Sequence, residues 1–232
     1  MNVWVWGPPM WDTLHACSFL CDAKNINAKP LFESLTQLLP CRYCRDSYTV
    51  FYGSLGPPPT GQCAQWTKNM HTLVNKKLSK QRLDKFLQGR SWPPAVVSDL
   101  QSHQDQLLAE PTMEVLQKKY MVNREEPIVW RNLSTALLAI LMGQESSLAP
   151  NMEALQKFLS NLITIMGSSG QANAKEIQEI LKAVSAENIS QGRKIIEHLK
   201  YDSVVGPKKP LRSTEDASRL IKAGQCINGT CV

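Results

Sequence analysis

Two cysteines two residues apart, in Cys41-Arg42-Tyr43-Cys44, form the strongest chemical signal in the chain. At a helix start this spacing brings both sulfurs within bonding reach and points unpaired amide N–H groups at a thiolate, so the pair can cycle between dithiol and disulfide. Pro40 suits a helix start, and Arg42 and Arg45 add positive charge that favours the thiolate. A lone C-x-x-C is also half of a zinc site. Zinc takes about four ligands, and the remaining candidates (Cys17, Cys21, Cys63 and His71) supply no second close-spaced pair. Redox chemistry is the favoured reading and no metal site is expected; a zinc-stabilised interaction module is the alternative.

Other groups stand at helical spacing. Trp11 and His15, and again His71 and Asn75, lie four residues apart and so share a helix face. Each pair offers planar, polar groups, although a buried tryptophan or a hydrogen-bonded core histidine accounts for any one of them taken singly. Cys17 and Cys21 are also four apart, a geometry that strains a disulfide, and are expected as buried free thiols. Cys226 and Cys231 sit near the C-terminus in a C-x(4)-C with no apolar run to bury it, a setting open to thiol–disulfide exchange. An inert or structural tail clip is the competing reading.

The elements that must position these groups read as helices throughout. Apolar spacing predicts helices from Pro9 to about Asp22, from Pro30 to Leu39, from Pro40 to about Tyr52, and from Gly61 to Leu78 with a continuation over Arg82–Leu87. Further helices are expected over 96–109, 112–122, 128–142, 151–166, 173–185 and 188–201, separated by Pro111, Pro127, Gly143, Pro150 and Gly167-Ser168-Ser169-Gly170. No alternation of the β type persists. The expected class is all-α, a four- or five-helix bundle followed by a second helical region, with domains at 1–94 and 95–205. A polar tail at 206–232, with a short helix at 214–222, is expected to be mobile.

Composition narrows the function classes. The 232 residues are 43% hydrophobic and 20% charged, as in an ordinary globular chain able to build its own core. The net charge of +6 is scattered rather than gathered into a basic stripe, which argues against a nucleic-acid partner. The most apolar stretch, Leu133 to Met142, is about half a bilayer span, so it reads as a buried helix and no membrane span is expected. The residues after Met1 lack a charged segment ahead of an apolar run, so a cytoplasmic rather than secreted location is expected. Seven cysteines are too few and too unevenly spaced for a disulfide scaffold.

Three motifs in register carry a resemblance: Trp6-Gly7-Pro8-Pro9-Met10-Trp11-Asp12-Thr13-Leu14-His15; Leu39-Pro40-Cys41-Arg42-Tyr43-Cys44; and Trp66 followed by His71-Thr72-Leu73-Val74-Asn75-Lys76-Lys77-Leu78. In order and spacing they resemble the Erv/ALR family of FAD-linked sulfhydryl oxidases, over about residues 4 to 92. The resemblance implies a helical bundle holding FAD, with Cys44 beside the flavin as the charge-transfer thiolate and Cys41 as the sulfur attacked by an incoming thiol. It implies that Trp11, His15, His71 and Asn75 enclose adenine and ribose, and that Gly7, Val74 and Leu78 line the pocket. Lys77 and Lys80 would meet the pyrophosphate, and Trp92 would be a further flavin contact. The resemblance also implies the role of Cys226 and Cys231 as a shuttle pair. Implied partners are cysteine-containing protein substrates, oxygen as electron acceptor and a second copy of the chain in a homodimer. The added helical region resembles that of thiol oxidases from large cytoplasmic DNA viruses, which would place the protein in a host cytoplasm. A flavin-free thiol exchanger remains a third reading. The family's structural disulfide after the His/Asn helix has no counterpart, since no cysteine lies between Asn75 and Cys226; Leu39 and Thr72 also depart from the residues common at their positions.

Overall fold

The computed structural model describes residues 3–89, 91–107, 109–121, 130–168, 174–198, 226–227 and 230–231. These form ten helices: α1 (Val3–Lys24), α2 (Lys29–Leu38), α3 (Arg42–Leu55), α4 (Cys63–Leu87), α5 (Pro94–Leu107), α6 (Met113–Met121), α7 (Trp130–Glu145), α8 (Met152–Ser168), α9 (Ala174–Ser185) and α10 (Ile189–His198). The fold is all-α, as the periodicity predicts. Two two-residue strands, β1 (Cys226–Ile227) and β2 (Thr230–Cys231), pair antiparallel with Cys226 opposite Cys231. The expected helix at 214–222 lies outside the described residues. No described helix is long and apolar enough to cross a membrane.

Two boundaries differ from expectation for identifiable reasons. Pro8 and Pro9 fall inside α1 rather than at its start. Each removes an amide donor from the early turns, but Trp6 and Met10 on either side are 3% exposed, and their burial holds the helix together. Gly143, expected as a separator, lies within α7, which runs on to Glu145. A mid-helix glycine costs only about 1 kcal/mol, less than is gained by burying the flanking turns.

Helix α7 is the centre of the molecule. Every residue from Leu133 to Met142 is buried, Ser134 and Thr135 included, which is the signature of a helix packed on all sides. It touches α1, α2 and α10; α2 packs on α3 and α8, and α9 joins α8 to α10. One continuous apolar core runs from Trp6 and Leu35 through Leu137 and Phe158 to Ile196, so it crosses the boundary expected at 94/95. On the other side of α1 lie α4 and α6, with α5 held on α4 by a hydrogen-bonded knot in which Gln101 donates to both Ser79 (2.9 Å) and Asp105 (2.8 Å).

Local devices fix where α3 ends and α4 begins. Gly56 closes α3 at φ +70°, a left-handed conformation that glycine adopts without strain, and its carbonyl accepts the Trp66 indole N–H at 2.9 Å. The first amides of α4 are capped from a distant helix: the Asp22 carboxylate on α1 accepts Cys63 N–H at 2.7 Å and Ala64 N–H at 2.9 Å. A carboxylate there meets two orphan donors and the positive end of the helix. Asp22→Ala is therefore expected to cost about 1–2 kcal/mol in chemical denaturation, and Asp22→Asn less. An unchanged midpoint in Asp22→Ala would show that the cap contributes nothing.

Candidate functional site

Helices α1, α3 and α4, the 109–112 segment and α6 enclose a cavity of about 470 Å³, within the range of small-molecule sites. Its walls are mainly apolar, with Cys44 and Lys77 in the lining alongside Trp11, His15, His71 and Asn75. A second hollow of about 420 Å³ lies between α2 and α8 near Glu33, Gln37 and Lys157. It holds neither the cysteine pair nor the histidines, so the first cavity is the candidate site.

Cys41 is the N-cap of α3 and Cys44 lies on its first turn. Neither is in a disulfide; Cys41 is 4% exposed and Cys44 half-buried in the cavity wall. No side-chain hydrogen bond caps the helix, and the amides of Cys44 and Tyr43 are turned toward the Cys41 sulfur. The two thiols share one proton. The Cys44 thiol donates to Cys41, and this, helped by the two amides and opposed by burial, holds Cys41 down at about 6. Cys44 is raised by that same donated hydrogen bond, by burial and by the Cys41 charge, while Lys77 and Arg45 act in the opposite direction. The dithiol thus carries its charge on Cys41 rather than on Cys44. When Cys41 is bonded to another sulfur, the first and third of the causes that raise Cys44 disappear and the two cations remain. Lys77 also donates to Ser47, and Arg45 Nη1 donates to the Leu39 carbonyl at 2.5 Å, which holds both near the pair.

At the other end of the cavity the groups of α1 and α4 meet a carboxylate from the 109–112 segment. His71 Nδ1 lies 2.8 Å from Glu110 Oε1, His15 Nε2 lies 3.4 Å from Glu110 Oε2, and the two ring nitrogens are 3.1 Å apart. Asn75 Nδ2 donates to Glu110 Oε1 at 3.3 Å. Burial alone would raise the Glu110 carboxyl, but the hydrogen bonds and charge of the two imidazoles outweigh it and hold it at about 2. His71 is lowered too: burial lowers it, against the pull of Glu110. Trp11 stacks on His71 with ring centroids 3.9 Å apart, and Tyr120 stacks on His15 at 5.6 Å. Tyr120 also donates to Asp12 Oδ1 at 2.5 Å, which ties α6 to α1. Lys119 reaches the same oxygen at 2.6 Å, but on a half-exposed pair that ion bond adds little.

The cavity therefore gathers Gly7, Trp11, His15, Cys44, His71, Val74, Asn75, Lys77 and Leu78 from the sequence expectation. Three expected residues are elsewhere. Cys41 lies behind Cys44 and outside the lining, Lys80 is exposed on α4, and Trp92 stacks on Phe86 at 5.4 Å beyond the cavity. Lys77 lines the same cavity as Cys44, and its charge favours the thiolate form of that sulfur. Cys226 and Cys231 stand opposite each other in the backbone register of β1 and β2. Sequence reasoning missed Asp12, Glu110 and Tyr120. Cys17, Cys21 and Cys63 are buried free thiols, as expected, and burial pushes Cys21 up to about 12, so they are poor nucleophiles. No protein-family model, curated protein or solved structure matches this chain.

Because only the thiolate is alkylated, the labelling rate of reduced Cys41 is expected to rise as pH increases through about 6 and to level off above it. In Cys44→Ala, which lacks the donor, the midpoint moves up toward the ordinary value of about 8.5. Peptide mass spectrometry across pH checks both, and a midpoint near ~8.5 in the unmutated protein contradicts the shared-proton description.

Proposed function

We propose that the protein is an FAD-dependent sulfhydryl oxidase that forms disulfides in protein substrates. The observation that carries this reading is that a redox-capable C-x-x-C and nearly all the residues assigned by resemblance to flavin line or adjoin one cavity. The fit is supported by the donors present. Trp6 Nε1, in the wall, is buried and has no hydrogen-bond partner among the described residues, and the Trp11 indole and His71 imidazole offer ring faces for stacking. Trp11 and His71 stack directly on one another, so an adenine would lie on an outer face or part them by one ring thickness.

Cys44, Lys77 and the apolar wall from Leu39 and Phe51 would hold the isoalloxazine end; Trp11, His71 and Asn75 would hold the nucleotide end. Bound flavin would supply acceptance of two electrons from the dithiol and their delivery to oxygen. The rest is done by the chain. In the oxidised pair, a substrate thiolate attacks Cys41, the Cys41–Cys44 bond breaks, and Cys44 leaves as a thiolate stabilised by Lys77 and Arg45. A second substrate thiolate then attacks the mixed disulfide and releases Cys41 as the acidic thiolate described above. Two thiols and one oxygen molecule become one disulfide and one hydrogen peroxide. Cys226 and Cys231 would relay electrons from substrate to Cys41, and a homodimer in a host cytoplasm completes the reading by resemblance.

A zinc-stabilised module built on the C-x-x-C is disfavoured, because among the described residues no metal-ligating cluster includes Cys41 or Cys44. Oxygen uptake with a small dithiol or a reduced protein is the test. Uptake is expected to fall by at least about a hundredfold in Cys44→Ser and in Cys41→Ser, as for loss of an essential exchanging thiol. Uptake that is absent in the unmutated protein, or that survives both substitutions, overturns the oxidase reading. Disulfide exchange without oxygen consumption would point instead to a flavin-free exchanger.

A further inference from the structure

We propose that His15, His71 and Glu110 form a binding site for a zinc-class divalent cation. Their ligand atoms come from three separate elements, α1, α4 and the 109–112 segment, and all lie within 4.8 Å of one another. His15 Nε2 and His71 Nδ1 are 3.1 Å apart, and the carboxylate offers one oxygen to each ring, Oε2 at 3.4 Å from His15 and Oε1 at 2.8 Å from His71, separations close to the edge of a tetrahedral zinc shell. With zinc bonds of about 2.0–2.1 Å, that edge is about 3.3–3.4 Å. On the same geometry the His71–Glu110 pair must open by about half an ångström and the two ring nitrogens by about 0.2–0.3 Å. Two imidazoles and one carboxylate make a donor set typical of exchangeable zinc sites, in which the fourth position faces a cavity and takes water or an outside ligand. Here the cavity supplies that open side.

The surroundings distinguish this site from a structural metal. Glu110 is held from behind by Asn75 Nδ2 at 3.3 Å, and Trp11 fixes the plane of His71 by stacking. His15 Nδ1 has no partner among the described residues. A ligating histidine usually donates its second N–H to an acceptor, and loss of that contact lowers metal affinity about 10- to 100-fold. The site is therefore suited to a cation that comes and goes. Bound, it would fasten the 109–112 segment, and with it the start of α6, to α1 and α4.

One consequence rests on the oxidase reading. The same two imidazoles serve the nucleotide end of the flavin site, so cation and flavin exclude one another, and zinc would act as an inhibitor that competes with the cofactor.

The test is zinc binding by equilibrium dialysis and metal analysis in a Cys41→Ser/Cys44→Ser background, which removes the redox thiols as ligands. One zinc per chain is expected, with Co²⁺ giving tetrahedral visible bands and no sulfur-to-cobalt charge transfer. Glu110→Gln and His71→Gln, each checked for retained helicity, should weaken zinc by about tenfold or more. Failure of the double variant to retain zinc, or retention unaffected by Glu110→Gln and His71→Gln, overturns the site. In flavin-loaded protein, zinc should release flavin; zinc bound together with flavin overturns the exclusion. If the protein never takes flavin yet binds zinc through these residues, the oxidase reading fails and the metal site stands.

Discussion

Helix α1 has neighbours all round: α4 and α6 on the side of the cavity, α7 and α8 on the side of the main core. A helix so placed has almost no solvent face, and its sequence shows this, with Trp6, Met10, Leu14, Cys17 and Cys21 buried together with the polar Thr13, His15 and Ser18. Thr13 and Ser18 can be buried because local acceptors satisfy them: Thr13 donates to Pro9 O at 2.9 Å and Ser18 to His15 O at 2.7 Å. From this one element come a cavity wall, the Asp22 cap of α4 and the Asp12 contact to α6. The second half of the chain thus buries the back of the helix whose front forms the site. Its role in the fold is structural support for α1 as much as a surface of its own.

Within the cavity, charge is divided between the two ends. Cations gather near the sulfurs, where Lys77 and Arg45 oppose the burial of a thiolate at Cys44. The anion Glu110 sits at the far end and is stabilised there by the hydrogen bonds and charge of the two imidazoles. A buried carboxylate without such donors would be costly, so the two imidazoles and Asn75 have a structural task even before any ligand is considered. Their arrangement lets Cys44 and the polar cluster line one apolar cavity with the cations near the sulfur and the anion at the other end.

Much of this was legible in the sequence where the relevant spacing is local. Cys41 and Cys44, Trp11 and His15, and His71 and Asn75 each declare a shared helix face through a separation of three or four residues. Beyond residue 95 the breaks at Pro111 and Pro150 follow from proline positions, whereas Gly143 and Gly167 lie inside α7 and α8 and the break between α9 and α10 carries neither Pro nor Gly. Glu110, Asp12 and Tyr120 were not legible, because their contacts span 35 to 120 residues and Glu110 lies on an irregular segment with no periodicity. The only local hint was an acid placed between Ala109 and Pro111 at the approach to a helix. Lys80 was assigned by motif position alone; helix geometry puts it three residues beyond Lys77, on the exposed side of α4.

The central claim is that this cavity holds a flavin, and the visible spectrum of the purified protein tests it most directly. The account predicts absorbance at about 450 nm from bound flavin, present at one equivalent per chain, removed by denaturation and much reduced in Trp11→Ala. A colourless, folded protein that takes up no FAD on reconstitution would contradict it.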